Sequence, residues 1–161
     1  MFGFGKKKTS ITAPLTGRVI PVTEVPDPVF AQRMLGDGFA IEPDADAGVV
    51  EVCAPTAGRL TKVFDTLHAF ALVAESGLEV FVHIGMDTVE LKGEGFEKLA
   101  STGETVTAGQ PIVRVDVSRI RESGRDPITP VVFTKSAQVA SLDITEGPAR
   151  GGDKVCTLAL A

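Results

Sequence analysis

Two stretches of this chain repeat, and the repeat limits what it can fold into. Ala13-Pro14-Leu15-Thr16-Gly17-Arg18-Val19 returns as Ala54-Pro55-Thr56-Ala57-Gly58-Arg59-Leu60, and Gly109-Gln110-Pro111-Ile112-Val113-Arg114-Val115 as Gly152-Asp153-Lys154-Val155-Cys156-Thr157-Leu158. The offsets are 41 and 43 residues, so the halves read as copies of one β motif. Ala-Pro-x-x-Gly makes a turn that feeds a strand, and Gly-polar-x-apolar opens a hairpin. Valine, isoleucine, threonine and phenylalanine elsewhere gather in short runs punctuated by glycine and proline. The predicted strands are Gly17–Val22, Val49–Cys53, Arg59–Phe64, Leu67–Ala74, Leu78–Ile84, Thr88–Leu91, Ile112–Asp116, Val131–Phe133, Val139–Asp143 and Lys154–Leu160. Many short strands mean a sandwich or a barrel. Helix is scarce: Pro28–Leu35 has a cap in Asp27, a first-turn proline and a closing Gly36, and Ser118–Ser123 and Gly95–Ala100 are one-turn candidates.

The chain has 161 residues, 43% of them apolar, enough to bury the core of one domain. Its net charge of -5, with no basic stripe beyond Lys6-Lys7-Lys8, argues against nucleic acid and suits a basic partner surface. No apolar run reaches the ~18 residues of a membrane-spanning helix. Phe2 and Phe4 precede the three lysines, the reverse of a signal peptide, so residues 1–10 read as a flexible tail, 11–161 as one domain, and the protein as cytoplasmic. Cys53 and Cys156 stand singly in apolar runs and read as buried thiols.

Chemistry centres on the only two histidines, His68 and His83, in apolar runs separated by Glu75-Ser76-Gly77. A two-residue turn at Glu75-Ser76 pairs positions whose numbers sum to 151 and sets the histidines face to face, with Cβ atoms about 4.5–5.5 Å apart. A one-residue change in the loop makes them diagonal and still within reach. Alternation puts Glu79, Phe81 and His83 on one strand face, and Leu78, Val80, Val82 and Ile84 on the core face. His83 therefore points outward as a candidate nucleophile, with His68 as its hydrogen-bonding partner and Thr66 placed to set the tautomer of His68. Gly85-Met86-Asp87-Thr88 adds backbone amides and an acid.

The chain has no Gly-x-Ser-x-Gly elbow, P-loop or dinucleotide fingerprint, and no motif marks a third zinc ligand. A reactive histidine without a cofactor loop must receive its charged group from another protein, and phosphoryl relay through phosphohistidine is the simplest such function.

The run His68-Ala69-Phe70, then Glu79-Val80-Phe81-Val82-His83-Ile84-Gly85-Met86-Asp87-Thr88-Val89-Glu90-Leu91-Lys92-Gly93-Glu94-Gly95-Phe96, resembles the enzyme IIA component, glucose family, of the phosphoenolpyruvate-dependent sugar phosphotransferase system. The resemblance extends to Val25-Pro26-Asp27-x-Val29-Phe30-Ala31, Gly36-Asp37-Gly38, Ala54-Pro55 and Thr129-Pro130-Val131-Val132. It implies an all-β fold: an antiparallel sandwich with a duplicated, pseudo-twofold motif and short helical turns. It also implies that His83 accepts a phosphoryl group from the histidine-containing phosphocarrier protein and passes it to a cysteine on the IIB domain of a membrane sugar permease. His68 then stabilises the phosphorylated state, and Thr66 orients His68.

The implied docking surface is an apolar ring of Val29, Met34, Leu35, Phe64, Phe81 and Val89, with Asp27 and Asp87 to meet arginines. No cofactor is implied, except that His68 and His83 can share a zinc ion whose third ligand comes from a partner. The sugar is of glucose or N-acetylglucosamine type, and regulated transporters or kinases are further partners, with transient residence at the inner membrane face. Leu67 stands where relatives commonly carry a polar residue. The rival readings are a regulatory docking protein switched by His83 phosphorylation, a zinc hydrolase on a similar β motif, and a swinging-arm carrier modified at Lys92.

Overall fold

Strand order follows from which residues alternate and where glycine lets neighbouring backbones close up. The computed structural model describes residues 8–161. In chain order the strands are β1 (Lys8–Thr12), β2 (Gly17–Pro21), β3 (Asp37–Pro43), β4 (Val49–Cys53), β5 (Gly58–Val63), β6 (Ala69–Val73) and β7 (Glu79–His83). After them come β8 (Phe96–Lys98), β9 (Thr105–Val106), β10 (Pro111–Asp116), β11 (Thr129–Phe133), β12 (Val139–Ile144), β13 (Gly147–Ala149) and β14 (Lys154–Leu160). The helices are α1 (Pro28–Ala31) and α2 (Val117–Glu122).

The strands form an eight-stranded sheet, β13-β2-β3-β11-β7-β6-β5-β9, and two three-stranded sheets, β1-β14-β12 and β4-β10-β8. Every pairing is antiparallel. One buried cluster draws on all three sheets, through Ile11 and Leu158, Val52 and Val113, and Phe39, Phe70 and Val82. This is an antiparallel β-sandwich, as expected.

The sequence echo is a real duplication, visible in matched hydrogen bonds. Thr12 N–H donates to Pro55 O (2.9 Å) and Cys53 N–H to Pro14 O (2.8 Å), so the two Ala-Pro turns clasp one another reciprocally. Ala13 N–H to Asp153 O is matched by Ala54 N–H to Gln110 O, both 2.9 Å. The motif's glycines are required because a Cβ at Gly17 or Gly58 would collide with the carbonyl of Glu42 or Val73 on the adjoining strand.

Several expectations are corrected. Thr88–Leu91 is a 3-10 turn, not a strand, because Asp87 and Lys92 at its ends are left-handed (φ 58° and 54°) and cannot extend into a ladder. Residues 96–98 are strand β8 rather than a helical turn, paired with Val113–Val115. Helix α1 stops at Ala31, short of Leu35, as Arg33 turns left-handed (φ 57°). Strand β3 was not predicted: Gly38, Phe39, Ala40 and Ile41 are all buried, so alternation is absent. Strand β1 begins at Lys8, inside the stretch expected as tail, and pairs Lys8 with Ala159. The rest of that tail, Phe2 and Phe4 included, lies outside the described residues. Among these, no helix is long and apolar enough to cross a membrane.

Candidate functional site

The site grows from the β6–β7 hairpin. Val80 and Val82 of β7, with Ile84 just beyond it, are buried, while Glu79, Phe81 and His83 lie on the partly exposed outer face. Its register is one step off the tight-turn expectation. His83 pairs with Ala69 and Val82 with Phe70, so paired numbers sum to 152 rather than 151. The loop is closed by Ala74 N–H to Leu78 O and Gly77 N–H to Ala74 O (2.9 and 2.8 Å). Gly77 at φ 91° supplies a third loop residue, the usual left-handed position of a three-residue hairpin turn. His68 is thus diagonal to His83, and its carbonyl accepts from Ile84 N–H (2.7 Å).

The two imidazoles nevertheless meet, with ring centroids 5.2 Å apart and planes at 79°. His68 lies just before β6, after a left-handed Leu67 (φ 62°), so its ring is not committed to the inward direction of Phe70 and Leu72. Leu67 needs no polar side chain here: its amide donates to Phe64 O (2.8 Å) and closes the turn.

Each ring is oriented by one short hydrogen bond. His83 Nδ1 lies 2.6 Å from Gly85 O, and a carbonyl only accepts, so Nδ1 carries the proton and Nε2 keeps its lone pair. His68 Nδ1 lies 2.6 Å from Thr66 Oγ1. If the hydroxyl donates, His68 keeps its proton on Nε2, where it can serve a group held on His83. Burial, then the facing His68, pushes the His83 pKa down to about 4, outweighing the opposing pull of Gly85 O, Asp27 and Asp87. Burial lowers that of His68 as well. Both rings are therefore neutral at neutral pH.

Aromatic side chains frame the pair. Phe64 stands 5.3 Å from His68 and 6.2 Å from Phe81, and Phe30 stands 5.3 Å from His83, centroid to centroid. A depression of about 250 Å³ brings His83 together with Asp27, Val29, Leu35, Phe81, Asp87 and Val89 of the predicted surface. Val29, Leu35 and Val89 are exposed hydrophobics there. Met34 is more exposed still, at 68%, and does not line the depression. Asp27 Oδ1 accepts from Val29 N–H (2.8 Å), so this carboxylate caps α1 while facing the site. Asp87 opens its turn without a capping bond from its side chain.

The larger apolar depression, about 660 Å³ between β5, β6 and β9, is lined by neither histidine nor cysteine. Cys156 is buried, with its thiol pushed up to about 12 by burial and by Asp143 and Asp37. Cys53 is only half-buried, contrary to expectation, and its thiol is also raised, so neither is a ready thiolate. Among the described residues no group of three or more His, Cys, Asp or Glu could hold a metal ion; His68 and His83 offer two nitrogens and no third donor. Lys92 ends the 3-10 turn in a left-handed conformation.

Comparison with known proteins agrees with this geometry. The family model of the phosphoenolpyruvate-dependent sugar phosphotransferase system, EIIA 1, matches residues 9–139. The chain belongs to this family. A glucose-specific EIIA component of Staphylococcus aureus (strain COL) is 47% identical over 147 residues, covering 89% of this chain and 86% of that one. That of Staphylococcus epidermidis (strain ATCC 12228 / FDA PCI 1200) is 43% identical over 149 residues, covering 91% and 87%. The solved glucose permease IIA from Mycoplasma capricolum superposes with a TM-score of 0.87 at 37% identity, over 98% of this chain and 99% of that one. This chain is therefore an EIIA, a phosphocarrier component of a sugar phosphotransferase system.

Sequence reasoning singled out neither the Phe30 and Met86 side chains nor the Gly85 carbonyl at this site. Phe30 and Met86 line the depression, and Gly85 contributes its carbonyl where only amides were expected. Glycine at 85 could have been a signal: it is left-handed (φ 77°), and a Cβ would press on Thr88 Cγ2 at 2.6 Å.

Proposed function

We propose that His83 Nε2 is the phosphoryl acceptor of this EIIA. The observation that carries the reading is the Nδ1–Gly85 O bond, which leaves Nε2 as the nitrogen with a free lone pair, beside the His68 ring. The donor is the phosphohistidine of the histidine-containing phosphocarrier protein. Its N–P bond breaks as the His83 Nε2–P bond forms, and the donor imidazole leaves with the electron pair. Such a transfer is mostly positioning and charge stabilisation. His68, with Nδ1 bonded to Thr66, presents Nε2–H to the phosphoryl oxygens in a charge-assisted hydrogen bond. The apolar rim of Val29, Leu35, Phe81 and Val89 excludes water when a partner docks, and Asp27 and Asp87 meet its basic side chains. Phe64, beside His68 and Phe81, and the exposed Met34 add to that surface.

The second half-reaction passes the group to a cysteine thiolate on the IIB domain of a sugar permease. The N–P bond breaks, an S–P bond forms and neutral His83 is restored. Glucose is the sugar that the names of the similar proteins support, and N-acetylglucosamine is the alternative. The setting is cytoplasmic, with brief visits to the permease. No resident cofactor is needed, and zinc would bind only where a partner adds the missing ligand. The test is intact-mass and acid-lability analysis after incubation with phosphoenolpyruvate, enzyme I and the phosphocarrier protein. One acid-labile phosphate is expected on wild type and on His68→Gln, and none on His83→Gln. Phosphate persisting on His83→Gln would overturn the assignment.

A further inference from the structure

We infer that Arg125 is a positioning residue for the phosphoryl site, holding the turn that carries Asp87 and Val89 in place beside His83; this rests on the phosphocarrier reading above. The chain leaving His83 is tied to residues 126–128 as far as Met86: Gly85 N–H donates to Ile128 O (3.1 Å) and Met86 N–H to Asp126 O (2.8 Å). Beyond Met86 that rail ends, yet Asp87 and Val89 form one wall of the depression at His83. Their own bonds are local: Glu90 N–H to Asp87 O (3.2 Å) and Lys92 N–H to Val89 O (3.1 Å).

The buried Thr88 hydroxyl fastens the middle of the turn to Ile84 O (2.5 Å); among the described residues, the other hydrogen bonds that reach residues 87–90 from outside the turn come from Arg125. Its Nε donates to Asp87 O (3.1 Å) and its Nη2 to Glu90 Oε1 (2.8 Å). One rigid, planar group thus grips both ends of the turn, which a lysine cannot reproduce. Glu90 is 63% exposed, so the ion pair alone contributes little. The bond to the Asp87 carbonyl is the part that matters, because Asp87 is a non-glycine residue held left-handed (φ 58°). The guanidinium also pairs with Glu90, while the Asp87 carboxylate makes no ion pair among the described residues.

Losing Arg125 frees the Asp87 carbonyl and the Glu90 end of the turn, which then pivots on the Thr88–Ile84 O bond, but leaves the His83 Nδ1–Gly85 O bond anchored through residues 126–128. Partner recognition should suffer while chemistry does not. The test measures KM and kcat for transfer from phosphorylated histidine phosphocarrier protein to wild type, Arg125→Met, Arg125→Lys and Glu90→Gln. In parallel, amide spectra of unphosphorylated protein follow residues 85–91.

Arg125→Met should raise KM about tenfold, the scale of a lost charged hydrogen bond, with kcat nearly unchanged. Arg125→Lys should recover part of that loss, and Glu90→Gln should show only a minor effect. Amide shifts should move at Asp87–Leu91 and stay at Gly85. An unchanged KM in Arg125→Met, a fall in kcat alone, or Glu90→Gln reproducing the whole effect would overturn the role. Failure of wild type to accept phosphate would instead sink the phosphocarrier reading. The amide shifts would then still decide whether Arg125 holds the turn.

Discussion

The two halves of the sandwich share one frame, yet only one holds the histidine pair. Where His83 pairs with Ala69 in the β6–β7 half, Val132 pairs with Gly38 in the β3–β11 half. Applying the same step back along the chain puts Asp37 where the other half has His68. The connection between β5 and β6 is short, residues 64–68, and leaves the outer face open around Phe81 and His83. The corresponding connection between β2 and β3, residues 22–36, carries a 3-10 turn and α1 and folds down over its own half. It buries Val22, Val25 and Phe30 with Val132 and Met86 in a second small core. The longer loop thus seals one half and, through Val29, Phe30 and Leu35, builds a wall of the site in the other. Duplication supplied two equivalent positions, and one inserted loop distinguished the site from the cover.

This contrast can be broken most sharply by moving the nucleophile. His83→Gln should lose all acid-labile phosphate, and adding Val132→His to that variant should restore none, because position 132 is sealed under Phe30. Mass spectrometry checks both. Val132→His should also lower the melting temperature, since an unpaired buried polar group costs about 1–3 kcal/mol. Any phosphate on the relocated histidine would show that the loop is not the discriminating element.

Unsealing the cover comes next. Phe30→Ala should destabilise the fold by about 3 kcal/mol, read by denaturant melts. It should also let the His83 pKa rise from about 4 toward the ordinary 6.5, because burial is the largest cause of its depression. His68→Gln acts inside the site: phosphate still arrives, but transfer onward should slow roughly a hundredfold, the scale of one lost transition-state donor.

The pH dependence of stability separates the halves more gently. His83 binds its proton less well folded than unfolded. Its contribution is therefore fully present above pH 6.5 and is lost as pH falls toward 4, where the folded protein also protonates. The pKa difference sets that contribution at about 3 kcal/mol, and burial of His68 adds in the same direction. Melts of His83→Gln across this range should show a shallower slope than wild type. A slope identical to wild type would contradict the depressed pKa. Smallest of all, Thr66→Val removes the bond to His68 Nδ1 and should slow onward transfer about tenfold without altering phosphate uptake.

Much of the frame was legible because it rests on local grammar. The Ala-Pro-x-x-Gly echo marked the duplication, the alternation through Glu79, Phe81 and His83 set the outward face, and Asp27-Pro28 signalled a capped helix start. The tertiary parts were not. Glu75-Ser76-Gly77 serves a two-residue turn at Glu75-Ser76 or a three-residue loop equally well, so the diagonal register was undetermined by sequence. Strand β3 hid because both of its faces are covered. Phe30 is an ordinary helix residue until the loop carrying it closes on His83, and Thr88–Leu91 reads as β-rich although left-handed residues at both ends make it a turn.

The central claim is that Gly85 O fixes the His83 tautomer and so directs phosphate to Nε2. Nitrogen-15 spectra of the histidine rings, recorded before and after phosphorylation, test it directly. The account predicts two neutral rings at pH 7, with His83 protonated on Nδ1, and afterwards phosphorus coupling to Nε2 of His83 with Nδ1–H retained. Coupling to Nδ1, or to either nitrogen of His68, would contradict it.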